Sequence, residues 1–127
     1  MAATVGKVLF FDLTVQNADQ VRDFYQQVVG WTASPVDMGD YQDYQMIAPD
    51  GEIGAGICHA RADNAHQPAQ WMIYITVDDL DKSLAAVEAN GGMIIVPIRG
   101  GGGARFAVIQ DPAGAVCSLF EQKDAAS

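Results

Sequence analysis

Positive charge is scarce in this sequence: seven lysines and arginines stand against sixteen aspartates and glutamates, a formal net charge of −9. Such a chain repels a phosphate backbone and lacks the counterion-release term that dominates nucleic-acid affinity, so DNA and RNA are not expected as partners. Long apolar runs are missing as well. Half of the residues are apolar, yet no run approaches the roughly 20 residues that span a bilayer, and the first residues lack the basic-then-apolar order of a signal peptide. A cytoplasmic protein with no membrane partner is expected. The acidity favours a cationic ligand or simply a surface charged for solubility, and by itself selects no substrate. At 127 residues the chain can bury a real core but not two independent ones, so one domain over residues 1–127 is expected.

Self-similarity is the main positive signal. Shifting the sequence by 62 positions lays Leu13-Thr14-Val15 on Ile75-Thr76-Val77, Gly30 on Gly92, and Tyr44-Gln45-Met46-Ile47 on Phe106-Ala107-Val108-Ile109. Each of the last pair leads into a turn, Pro49-Asp50-Gly51 in one half and Asp111-Pro112-Ala113-Gly114 in the other. Both halves open with a strand, Val8 to Val15 and Trp71 to Val77, and both continue into a helix. Asn17 and Asp79 are the expected N-caps, with Gln20 placed to complete a capping box on Asn17. Val21, Phe24, Tyr25, Val28 and Val29 then recur at helical spacing, as do Leu80, Leu84 and Val87. Gly30 and Gly91-Gly92 supply the left-handed residue that ends each helix, and three strand-like segments follow. The plan is βαβββ, twice. Residues 7–60 form the first module, 61–69 a polar linker, 70–122 the second module and 123–127 a tail. The class is α+β with mostly antiparallel strands.

Three signatures carry a family resemblance. Asp23-Phe24-Tyr25 through Val29-Gly30-Trp31, Val77-Asp78-Asp79, and Asp111-Pro112-Ala113-Gly114 occur in order and at matching spacing. Together with the repeat they resemble the vicinal oxygen chelate superfamily of glyoxalases, bleomycin-resistance proteins and dioxygenases, from about Lys7 to Gln122. The resemblance implies a curved, mostly antiparallel mixed sheet around a concave ligand cup, and a homodimer. Metal-using members hold a divalent ion there with two ligands per half, usually His and Glu. Spacing within the family motifs puts the first of these positions at Phe10 and the last at Ser118, and the repeat supplies Met72 and Gly56. Phenylalanine and glycine have no donor atom, a thioether prefers soft metals, and a neutral hydroxyl is a poor ligand for a hard ion. No metal and no other cofactor is therefore expected.

Strand alternation places Asp12 and Thr14 with Phe10, Tyr74 and Thr76 with Met72, Cys58 with Gly56, and Val116 and Phe120 with Ser118. The expected lining is apolar with a few polar handles, suited to a small organic ligand. Asp12 and Tyr74 are the candidates for any catalytic role, Asp12 as a partly desolvated carboxylate able to move a proton. The expected reading is a metal-independent small-molecule binder of the bleomycin-resistance type. The alternative is a metal-free or metal-dependent lyase, isomerase or dioxygenase of the glyoxalase superfamily, acting on a small carbonyl compound.

Other features are read more plainly. His59 and His66, with Cys58 and Glu52 nearby, match no closed zinc spacing. Cys58 and Cys117 have opposite strand parity under the repeat and are expected as reduced thiols. Gly100 to Gly103 is followed by neither the Gly-Lys-Ser/Thr of a phosphate loop nor a helix, so a hairpin connection is expected. Arg99 and Arg105 flank it, placed by the resemblance near the cup mouth to gate entry or hold an anionic group.

Overall fold

The computed structural model describes residues 5–61, 68–101 and 103–122. The tail, His66 and most of the linker lie outside them, as does Gly102. Among the described residues the order is β1 (Val8–Val15), α1 (Ala18–Val29), β2 (Thr32–Asp37), β3 (Gln42–Ile47), β4 (Ile53–His59), β5 (Trp71–Thr76), α2 (Leu80–Ala89), β6 (Met93–Gly101), β7 (Ala104–Gln110) and β8 (Val116–Gln122). This is the βαβββ plan repeated, and the class is α+β. No helix among the described residues is long and apolar enough to cross a membrane.

The chain forms two compact units. One runs from Phe11 to Trp71; the other joins the residues up to Phe10 to those from Met72 onward, so that β1 serves both. They are called here the N-terminal and C-terminal units. In the N-terminal unit the strands lie in the order β2-β3-β4-β1, with β2/β3 and β3/β4 antiparallel and β4/β1 parallel. The C-terminal unit repeats this as β6-β7-β8-β5, with β8/β5 parallel. The two parallel ladders are the internal repeat made visible. Asp12 pairs with Gly56, Leu13 with Ile57 and Thr14 with Cys58. The same 62-residue shift gives the pairs found in the other unit, Tyr74 with Ser118, Ile75 with Leu119 and Thr76 with Phe120.

Each helix covers one face of its own strands. Ala18 is fully buried against Tyr44, Met46 and Ile57, with Val21, Tyr25, Trp31 and Trp71 closing the cluster. In the C-terminal unit Leu80 and Leu84 pack on Ala107, Ile109 and Leu119, with Val87 beside them. Burying a leucine such as Leu80 contributes about 1.5–3 kcal/mol. The stripe on α2 is thus the buried stripe. That on α1 is only partly so: Phe24, Val28 and Val29 are 57%, 62% and 47% exposed. Ala18, one turn ahead of the expected stripe, lets the helix approach closely there and rotates the buried arc toward Ala18, Val21 and Tyr25.

The helix ends also differ from one another. Asp79 caps α2 by accepting the Lys82 N–H at 3.2 Å. Asn17 makes no side-chain cap; its amide donates instead to the Gln20 side chain at 3.1 Å, so the expected capping box does not form. At φ −101° and ψ 50° the Asn17 backbone lies outside the extended region usual for that box. Gly30 ends α1 in the left-handed region at φ 85°, where only glycine is free of a Cβ penalty. The two Asp turns repeat as well. Asp50 accepts the Glu52 N–H at 2.9 Å, and Asp111 accepts those of Ala113 and Ala115 at 2.8 and 3.0 Å. The expected hairpin connection lies partly outside the described residues, at Gly102; on either side of it Gly100 pairs with Arg105 and Gly101 with Ala104.

Candidate ligand-binding site

The residues singled out on the sequence fall into one group in each unit. In the C-terminal unit, Phe10 lies flat on Tyr74, with ring centroids 4.2 Å apart and planes 18° from parallel, and meets Phe120 edge-on at 5.8 Å. Met72 and Tyr74 are 2% and 8% exposed and pack with Val96 and Val108, ringed by Ile95, Phe106, Val116 and Phe120. Ser118 stands beside Tyr74 in the parallel ladder and beside Val108 in the antiparallel one. It is fully buried, and its hydroxyl makes no hydrogen bond among the described residues. Such a group costs free energy unless something pairs with it. Phe10 is the outermost of these rings, 39% exposed.

In the N-terminal unit Asp12 faces Gly56 across the β1/β4 ladder. A Cβ on Gly56 would sit 3.2 Å from the Asp12 Cβ, tighter than most contacts of that kind, so glycine leaves the carboxylate room. Cys58 lies one ladder step on, and its thiol is pushed up to about 12, first by burial and then by the charges of Asp12 and Asp43. It is a buried thiol rather than a nucleophile. Cys117 packs against the α2 core, where burial also raises it, and both cysteines are free.

Two polar networks were not foreseen. Glu121, only 3% exposed, accepts the Leu80 N–H at the start of α2 at 2.7 Å. It also takes both Nε and Nη2 of Arg105 at 2.9 and 3.0 Å, while the same Nη2 reaches Asp81 at 3.1 Å. Arg105 is thus committed to pinning α2 onto β7 and β8, which corrects the expectation that it gates a ligand or holds an anion. The sequence did carry the signal: Glu121 shares strand parity with Cys117 and Leu119, which face the α2 core, and an inward carboxylate requires a partner. In the N-terminal unit the Tyr44 hydroxyl donates to Asp19, and Arg22 lies 4.7 Å over the Tyr44 ring. His59 sits with Nε2 3.5 Å from Asp19 and Nδ1 3.5 Å from Asp43, whose carboxylate accepts the His59 backbone N–H at 2.8 Å. These residues are far apart in sequence and share no motif. A cleft of 290 Å³ beside this network, lined by Arg22, Gln26, Gln42 and Tyr44 among others, contains none of the residues expected from the sequence.

The four positions at which the resemblance implies metal ligands hold a phenyl ring, a hydrogen atom, a thioether and a buried hydroxyl. That donor set does not fit a hard divalent ion. Among the described residues no group of three or more His, Cys, Asp or Glu side chains is placed to hold a metal.

Residues 7–119 match the model of the Glyoxalase/Bleomycin resistance protein/Dioxygenase superfamily, and the chain belongs to that family. Among curated proteins it is 32% identical over 122 residues to "Putative glyoxylase CFP32" of Mycobacterium tuberculosis, covering 91% of this chain and 44% of that protein. It is 30% identical over 130 residues to "Anthracycline biosynthesis protein DnrV" of Streptomyces peucetius, covering 92% and 47%. The chain spans about half the length of the curated relatives it matches. Among solved structures, methylmalonyl-CoA epimerase from Mycobacterium tuberculosis aligns with a TM-score of 0.58 at 19% identity, covering 100% of this chain and 97% of that one. A hypothetical protein, BH1468, from Bacillus halodurans aligns with a TM-score of 0.61 at 17% identity, covering 98% and 99%. At such identities the likeness is one of fold.

Proposed function

We propose that this protein binds a small organic molecule without a metal, holding it against the apolar lining of the C-terminal unit. The observation that carries the reading is the set formed by Phe10, Met72, Tyr74, Ser118 and Phe120: stacked rings and a thioether in apolar packing, with the buried, unbonded Ser118 hydroxyl on the strand partner of Tyr74. Apolar walls with few polar handles are the general composition of sites that hold organic ligands. The name of the Streptomyces peucetius relative, an anthracycline biosynthesis protein, is in keeping with an organic ligand. In the N-terminal unit Asp12, Gly56 and Cys58 supply a carboxylate beside open backbone. The protein is proposed to work as a homodimer in the cytoplasm.

Native mass spectrometry of protein purified without added metal tests this in one spectrum. A metal-free dimer carrying an organic adduct supports it. One divalent ion per chain, lost together with ligand binding on chelation, refutes it.

A second reading is an enzyme acting on a small carbonyl compound, with Asp12 as the proton-transfer group. It is favoured by the half-burial of Asp12 against Gly56 and by the name of the mycobacterial relative, a putative glyoxylase. Should turnover of a carbonyl substrate be found, Asp12→Asn is expected to lower kcat at least about 100-fold, in line with general acid–base catalysis. An unchanged pH–rate profile in that variant would remove Asp12 from the mechanism.

A further inference from the structure

Ser118 is the feature of the C-terminal unit that packing does not explain. Alanine would fill the same space beside Tyr74 and Val108 without burying a hydroxyl, yet the Ser118 Oγ is fully buried and makes no hydrogen bond among the described residues. Tyr74 stands beside it in the β5/β8 ladder, and Phe120 lies two residues along the same strand. Both rings touch Phe10, which rests flat on Tyr74 at 4.2 Å and is more than a third exposed on its outer side. Phe10 is thus the most exposed ring of a stacked set that includes Tyr74, the strand partner of Ser118.

We propose that Phe10 is an aromatic lid, and that the C-terminal unit takes a flat, neutral aromatic molecule bearing an oxygen: a phenol, quinone or aryl ketone. Its ring replaces that of Phe10 on Tyr74, and its oxygen hydrogen-bonds to Ser118. The inference rests on the reading of this lining as a site for an organic ligand. Three observations select the class. Ring stacking at this spacing and tilt is open to any planar π-system, so exchanging Phe10 for a ligand ring conserves the contact. The packed cluster is built from Met, Tyr, Phe, Val and Ile side chains, an apolar surround in which burying a charged group costs far more than burying a neutral one. One hydroxyl donates a single hydrogen bond and accepts at most two, which matches a single ring oxygen and not a polyol.

The test uses three probes on the whole protein by equilibrium dialysis: 1-naphthol, naphthalene and decahydro-1-naphthol. Wild type is expected to bind 1-naphthol at least fivefold more tightly than either of the others. Ser118→Ala is expected to lose about fivefold to tenfold for 1-naphthol and nothing for naphthalene, roughly one neutral hydrogen bond. The same variant should melt at a higher temperature than wild type, because it no longer buries an unpaired hydroxyl. Phe10→Ala should speed 1-naphthol association. If Ser118→Ala leaves 1-naphthol affinity unchanged or lowers the melting temperature, the hydroxyl is structural and the inference is wrong. Equal binding of decahydro-1-naphthol would likewise overturn it while leaving an organic-ligand protein standing. If none of the three probes binds and native mass spectra show no organic adduct, both this inference and the reading beneath it fall.

Discussion

Glu121 is the residue on which the C-terminal unit most depends. Its side chain, 4% exposed, accepts from the Leu80 N–H and from two nitrogens of Arg105. The Leu80 amide is one of the otherwise unpaired donors that open α2, so Glu121 completes a helix terminus from another element of the fold. Hydrogen bonds to a charged group are worth about 1.5–3 kcal/mol each, but three on one carboxylate do not add. Removing one partner of a buried pair costs about 3–5 kcal/mol. Because Arg105 keeps Asp81 and the side chain remains 32% exposed, the lower end applies, and Glu121→Ala is expected to cost about 3 kcal/mol. For a domain of this size that is a fall in Tm of about 10 °C. Glu121→Gln retains an acceptor for the Leu80 amide but turns its NH2 toward Arg105 or loses the second contact, and should fall between wild type and alanine. The paired replacement Glu121→Leu with Arg105→Met should cost less than the two single changes summed, since neither charge is then left alone. Urea denaturation followed by far-UV circular dichroism measures wild type, the two single replacements of Glu121 by Ala and Gln, and the double variant with its two component single changes. A loss under about 1 kcal/mol for Glu121→Ala would refute the view that this carboxylate anchors α2.

Other expectations follow from single positions. Gly100 sits at φ 95° with the Ala104 carbonyl oxygen 2.5 Å from where a Cβ would lie, whereas a Cβ on Gly101 meets nothing within 4 Å. Gly100→Ala should therefore cost about 1–3 kcal/mol and Gly101→Ala stay within about 0.5 kcal/mol by denaturant unfolding. The bond from Tyr44 holds the Asp19 carboxyl below its ordinary 3.8 and raises the Tyr44 phenol above its ordinary 10.0. Stability from a lowered carboxyl is present above pH 3.8 and lost as pH falls through the folded value; that from a raised phenol is present below pH 10 and lost above it. Tyr44→Phe should accordingly be less stable than wild type by a constant margin across the neutral range, and the two proteins should converge in acid; a margin that grows in acid would contradict the assignment. With Cys58 pushed up to about 12 and Cys117 also raised by burial, neither thiol should react with Ellman's reagent at pH 8 within minutes, and both should in denaturant. Fast reaction of one thiol in the native protein would mark a unit that opens.

The sequence by itself determined the duplication, the element order and the turns. Those follow from local chemistry: alternation in β1 and β5, glycine at the left-handed ends of the helices, and aspartates folding back on their own turns at Asp50 and Asp111. The repeat also ties the two parallel ladders together: once the structure pairs 12 with 56, the same shift gives 74 with 118. What tertiary structure alone decided is which side chains share a neighbourhood across strands and helices. The stripe on α1 could be read, but not that Ala18 would turn its arc and leave Phe24 and Val28 in solvent. Arg105 looked free beside a glycine hairpin, and only the antiparallel pairing of β7 with β8 sets it against Glu121. Ser118 could be named as a lining position from the resemblance, yet its pairing with Tyr74 and the absence of a partner for its hydroxyl among the described residues were decided by the packed strands. Local propensity is written in neighbours along the chain; the partners of a buried polar atom are set by residues tens of positions away, brought close only when the strands pair.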